Sequence, residues 1–132
     1  KEYIAVVEGI PKVAHAVIDL PIGRNPSAPS TFRVDPGGKE AITTYEVLAS
    51  SAERSLVKLW PKTGRTHQLR VHLQYINTAI VGDKVYGHTK NADRLYLHAL
   101  SLEVTIPTSK REVFTAPVPT DFMKYFPGVK SV

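Results

Sequence analysis

The chain of 132 residues contains no cysteine, which excludes disulfides, thiol catalysis and cysteine-ligated zinc. No apolar run approaches the length needed to span a bilayer. There is no internal repeat and no signal-peptide pattern. Residues Lys1–Val7 open directly as a strand, with neither an initiating Met nor a polar lead-in, so the natural N-terminus is expected to lie further upstream. Most informative is a local deficit of acid. No Asp or Glu stands between Arg54 and Gly82, whereas Arg54, Lys58, Lys62, Arg65 and Arg70 all fall in that window.

An apolar content of 42% and ten prolines fit one globular domain with substantial loops. The net charge of +5 lies wholly in the second half. Residues 1–60 carry seven basic and seven acidic side chains, residues 61–132 ten and five. With a pI near 9.5, such a stripe favours a polyanionic partner, nucleic acid ahead of an anionic membrane. The positive charge concentrates at 61–72, read as a turn running into a helix. Free N–H groups at a helix start suit a phosphate backbone or a buried carboxylate. A solvated basic surface is the plain alternative.

Periodicity predicts an α+β class on a largely antiparallel or mixed sheet with a few helices. Residues 3–8 are apolar on both pleat faces and read as a central strand. Short strands are expected at Ala16–Leu20, Thr43–Ala49 and Ser55–Trp60, the last two as a hairpin. Between them, Asn25–Ser30 and Asp35–Gly38 mark a long loop. The helix is predicted from Thr66, as N-cap, to Ile76, with Leu69, Leu73 and Ile76 facing the core. Leu97–Ile106 alternates as a half-buried strand, Arg111–Thr115 pairs with it, and a short helix near Thr120–Phe126 closes the chain.

His67 and His72 fall on different helix faces without a carboxylate nearby, so no metal site is expected. His98 reads as a buried, hydrogen-bonded histidine. Tyr45, Trp60 and Tyr75 read as packing residues. Thr63-Gly64-Arg65-Thr66 lacks G-x-x-x-x-G-K, and nucleotide hydrolysis is not supported.

Seven segments, in order, resemble the RluA-type pseudouridine synthases. Lys1–Gly9 is similar to the family's K-x-Y-x-A-x-V-x-G strand. Thr63–His72 resembles its T-G-R-x-H-Q-[IL]-R-x-H motif. Ile18–Arg24, Gly38–Val47, Ile80–Gly87, Leu97–Ala99 and Ala116–Phe122 also fit. The resemblance implies a pseudouridine synthase catalytic fold, of which residues 1–132 are the C-terminal portion. It implies isomerisation of uridine in rRNA or tRNA by base flipping and an Asp nucleophile, without cofactor or metal. It assigns catalytic roles to Arg70, as partner of the aspartate, and to Tyr3, against the flipped uracil. Leu69 would line the substrate pocket, and by position and charge more than by motif Lys62, Arg65 and His67 would contact RNA. A cytoplasmic setting is expected, an organellar one remaining open.

One segment of the pattern is absent. The family's nucleophile sits in H-R-L-D-x-x-T-S-G, and none of Asp19, Asp35, Asp83, Asp93 and Asp121 has that context. Asp19, Asp83 and Asp121 instead suit turns or caps. Taken alone, the chain is expected to be inactive, and a non-catalytic RNA-binding module on the same scaffold is the alternative. Loss of upstream strands would also leave the sheet edge near residues 3–8 exposed.

Overall fold

The computed structural model describes residues 1–88, 92–105 and 111–129, of which 102–105 and 111–114 as backbone. In chain order the strands are β1 (Glu2–Glu8), β2 (His15–Asp19), β3 (Ile22–Arg24), β4 (Phe32–Val34), β5 (Ile42–Ser50), β6 (Arg54–Pro61), β7 (Leu97–Thr105) and β8 (Arg111–Thr115). Helix α1 (Gln68–Tyr75) follows β6, and a 3-10 helix spans Thr120–Tyr125. Six strands form one sheet in the order β2-β5-β6-β1-β7-β8, and β3 and β4 form a separate two-stranded ribbon. Among the described residues every strand pairing is antiparallel.

β1 is central because it is apolar on both faces. Ile4, Ala5, Val6 and Val7 have no exposed surface. It pairs with β6, Tyr3 opposite Leu59, and with β7, Tyr3 opposite Ala99. Both edges of residues 3–7 are therefore occupied, and the expected exposed sheet edge near 3–8 does not exist. The sheet ends instead at β2 and β8. The hairpin β5–β6 forms as predicted, with a bulge between Val47 and Ala49.

Helix α1 packs on β4, β5 and β6. Leu69 and Leu73 enter the main core, with Ile76 packed at its margin, while Val71 joins Ile22 and Ala41 in a small second cluster. Its start differs from the prediction. Thr66 is not the N-cap; His67 occupies that position in a left-handed conformation, φ 56°, without a side-chain cap. The segment predicted as one long loop holds the β3–β4 hairpin. Its strands have three residues each, too few for alternation to register, and the Asn25–Thr31 turn is closed by backbone hydrogen bonds.

Two packing assignments need correction. Tyr75 is 53% exposed, since it ends α1 on the side away from Leu69 and Leu73. His98 is half-buried against Phe122, and its Nε2 is enclosed without a hydrogen-bond partner among the described residues. Tyr45 is buried and its hydroxyl donates to the Val13 carbonyl. Trp60 donates to Glu2 Oε1. The alternation expected in β7 at Leu102–Ile106 lies outside the described side chains.

Candidate active site

The loop from β6 to α1 is organised by one buried amide. Gln68 is 4% exposed. Its Oε1 accepts the Thr63 hydroxyl at 2.8 Å and the Arg65 N–H at 3.0 Å. Its Nε2 donates to the Ile42 carbonyl and to Thr43 Oγ1, both at 3.0 Å. Thr43 Oγ1 lies 2.8 Å from His72 Nδ1, and His72 Nε2 lies 2.8 Å from the Leu20 carbonyl. A carbonyl only accepts, so Nε2 carries the His72 proton and Thr43 donates to Nδ1. Burial lowers the His72 pKa, against the opposing pull of the Leu20 carbonyl and Asp19. This chain of bonds pins the basic loop to β5.

In the first turn of α1, Arg70 meets Asp83. Nε and Nη2 donate to Oδ2 and Oδ1 at 3.0 and 2.9 Å. Asp83 is 1% exposed and also accepts the Val85 and Tyr86 N–H groups at Oδ1. Burial alone raises its carboxyl pKa, but Arg70 and the two backbone donors outweigh that, and it is held below the ordinary carboxylate value. The turn role expected for Asp83 is present, and the contact with Arg70 adds to it. Of the guanidinium's five N–H groups, the three not facing Asp83 remain for another acceptor. The Tyr86 ring lies under the same guanidinium, 5.0 Å from its carbon.

The residues named from sequence converge on one cleft of about 360 Å³. Tyr3, Leu69, Arg70, Arg65 and His67 all line it, with Lys1, Gln68 and Leu97. β1 supplies the tyrosine, α1 Gln68, Leu69 and Arg70, β7 Leu97, and the loop Arg65 and His67. Lys62 is exposed and lines neither this cleft nor its neighbour. Arg65 stands between the two, its Nε donating to the Glu40 carbonyl at 2.6 Å. The neighbouring cleft, about 540 Å³, lies between that loop and the β3–β4 hairpin, with Arg24, Phe32 and Lys39 in its wall. No aspartate of the described residues lines the 360 Å³ cleft.

Sequence reading missed the structural parts of Gln68, Tyr86 and Phe32, and the contact of Asp83 with Arg70. Gln68 and the Asp83–Tyr86 pair lie inside the quoted motifs, so their positions were visible but their partners were not.

Known proteins resemble the chain in sequence and in fold. A sequence model described as RNA pseudouridylate synthase matches residues 1–75. An uncharacterized RNA pseudouridine synthase of Zymomonas mobilis is 44% identical over 127 residues, covering 92% of this chain and 58% of that protein. Ribosomal large subunit pseudouridine synthase D of Borreliella burgdorferi is 39% identical over 127 residues, covering 93% of this chain and 39% of that protein. The structure of human RNA Pseudouridylate Synthase Domain Containing 1 superposes with a TM-score of 0.81 at 30% identity, over 89% of this chain and 54% of that one. The chain thus spans between 39% and 58% of the length of these three relatives. With seven motifs in order, an antiparallel sheet of the same fold and Arg70 set beside Tyr3 and Leu69, the chain belongs to the RluA-type RNA pseudouridylate synthase family.

Proposed function

We propose that the full-length protein is an RNA pseudouridine synthase of the cytoplasm, acting on ribosomal RNA ahead of transfer RNA. Two relatives from different bacteria bear the name ribosomal large subunit pseudouridine synthase D, which supports the ribosomal choice. One observation carries the reading: Tyr3 from β1 and the neighbouring Leu69 and Arg70 from α1 line a single cleft.

The target uridine leaves its stack and enters that cleft, at a cost of a few kcal/mol. Leu69 gives an apolar wall and Tyr3 an aromatic one against the base. The nucleophile is an aspartate supplied from outside these 132 residues. A carboxylate enclosed with a base drifts toward its neutral form, and an adjacent guanidinium keeps it ionised. Arg70 can do this end-on, because Asp83 occupies only its Nε side. The aspartate attacks C1′ of the ribose and the bond to N1 breaks; the uracil turns over, C5 bonds to C1′ and releases the carboxylate, and C5 loses its proton while N1 takes one up. Lys62 and Arg65 meet flanking phosphates. None of these steps calls on a metal or an organic cofactor.

The test maps pseudouridine in RNA from cells with and without the gene. At least one ribosomal site is expected to disappear and to return with the wild-type gene but not with Arg70→Ala. Identical maps, or full rescue by Arg70→Ala, would overturn the reading; a binding module without catalysis would give identical maps.

A further inference from the structure

Tyr86 touches three parts of the molecule at once. Its hydroxyl oxygen accepts the Phe32 N–H from β4 at 2.9 Å and lies 2.8 Å from His67 Nδ1. Its ring supports the Arg70 guanidinium. The His67 ring stands edge-on to Phe32 and Tyr86, with centroids 5.8 and 5.5 Å away. His67 itself is held at φ 56°, a region that side chains other than glycine's adopt reluctantly.

The proton inventory fixes the direction of this relay. A backbone N–H can only donate, so the phenol oxygen accepts from Phe32. Its own hydrogen then points to His67 Nδ1, the acceptor it faces. Were the histidine proton on Nδ1, the phenol would accept twice and its hydrogen would have no acceptor among the described residues. Burial, and next the Arg70 cation, lower the His67 pKa, with Asp83 opposing. Nε2 makes no hydrogen bond among the described residues, and the half-buried ring lines the 360 Å³ cleft.

We propose that Tyr86 is a positioning residue that fixes His67 as a neutral Nε2–H donor to an RNA oxygen in the cleft. The same hydroxyl joins the β3–β4 hairpin, wall of the neighbouring cleft, to the reaction site. His67 thereby recognises an acceptor by direction rather than by charge. Its part toward substrate rests on the pseudouridine synthase reading; its tautomer does not.

Two measurements on the full-length protein separate these. In the first, histidines are labelled with ¹⁵N and His67 is assigned by its loss in His67→Gln. The wild type should show one Nε2–H tautomer near pH 7, and Tyr86→Phe, which keeps the ring under Arg70, should show a mixture. An Nδ1–H or cationic His67 in the wild type, or an unchanged tautomer in Tyr86→Phe, overturns the proposal.

In the second, pseudouridine formation is followed on the RNA identified by mapping. Tyr86→Phe should lower kcat/KM about tenfold, the size of one lost directed hydrogen bond. His67→Gln, which retains a neutral N–H, should outperform His67→Ala. A sulfur in place of the uracil O4, or of a non-bridging oxygen at a flanking phosphate, tells the two acceptors apart. The oxygen that His67 meets is the one whose replacement adds no further loss in His67→Ala. Full additivity at every oxygen, or wild-type rates in Tyr86→Phe, overturns the contact. An inactive wild-type protein would instead overturn the function and leave the tautomer experiment standing.

Discussion

Asp83 takes the Nε side of the Arg70 guanidinium in a two-pronged contact, 3.0 and 2.9 Å, while Arg70 lines the cleft. The pair is unequal in exposure: the Asp83 side chain is 1% exposed and that of Arg70 19%. Asp83 is therefore the fixed member, tied down by two backbone N–H groups, and Arg70 is the member oriented by it.

Removing that anchor should be costly. Asp83→Ala leaves a partly buried cation and two N–H groups without acceptors, and an expected loss of about 3 kcal/mol follows from breaking one side of a buried ion pair. Denaturant unfolding of the full-length protein measures it. Arg70→Lys, by contrast, retains a charge but not the fork. It should fold with a smaller loss and yet lower pseudouridine formation by about 10²-fold. A stable, fully active Arg70→Lys would sink the geometric argument.

His72 links stability to pH. Its pKa is lowered in the folded protein from the 6.5 of a free histidine. Between the lowered value and 6.5 the unfolded chain binds more protons than the folded one, so stability rises with pH. The contribution is complete above about pH 6.5 and is lost as pH falls below it. Urea midpoints at pH 8 and pH 5.5 should differ in the wild type. The difference should shrink in His72→Gln, whose amide does not titrate.

Gly82 should resist any substitution. Its φ is +82°, and a Cβ there would lie 1.7 Å from the Arg94 carbonyl oxygen. The close approach lets Val81 bond to both Val6 and Tyr96, which sets Asp83 beside Arg70. Gly82→Ala should cost several kcal/mol or prevent folding. At Gly64 an added Cβ meets nothing within 4 Å, and Gly64→Ala should shift stability by no more than about 0.5 kcal/mol. Thermal unfolding of both variants gives the contrast.

Lys62 should act by charge alone. It is exposed and outside both clefts. Lys62→Ala should weaken RNA binding uniformly across sequences and reduce the slope of log K against log salt by about 0.7 to 0.9. An unchanged slope in a salt titration would remove Lys62 from the RNA contacts.

Long elements with a clear pattern were legible in the sequence. β1 is apolar on both faces, and no interior position other than a central strand satisfies that. β5, β6 and β8 fell within a residue or two of their predicted bounds. Short or strained elements were not legible. Three-residue strands carry no period, and His67 as N-cap runs against propensity because tertiary contacts hold it there.

The motif run Thr63–His72, with Lys1–Gly9 and Ile80–Gly87, determined the family and named Tyr3, Leu69 and Arg70, while position and charge singled out Arg65 and His67, because residue identity, charge and spacing are properties of the sequence itself. Which groups face one another is not. Asp83 lies thirteen residues from Arg70, and Phe32 lies fifty-four from Tyr86. Only the packing of α1 against the β3–β4 hairpin and the close approach at Gly82 brings them together. The tertiary structure alone decided that the Nε side of the Arg70 guanidinium is spent on Asp83, and that His67, beside the Tyr86 hydroxyl, lines the cleft.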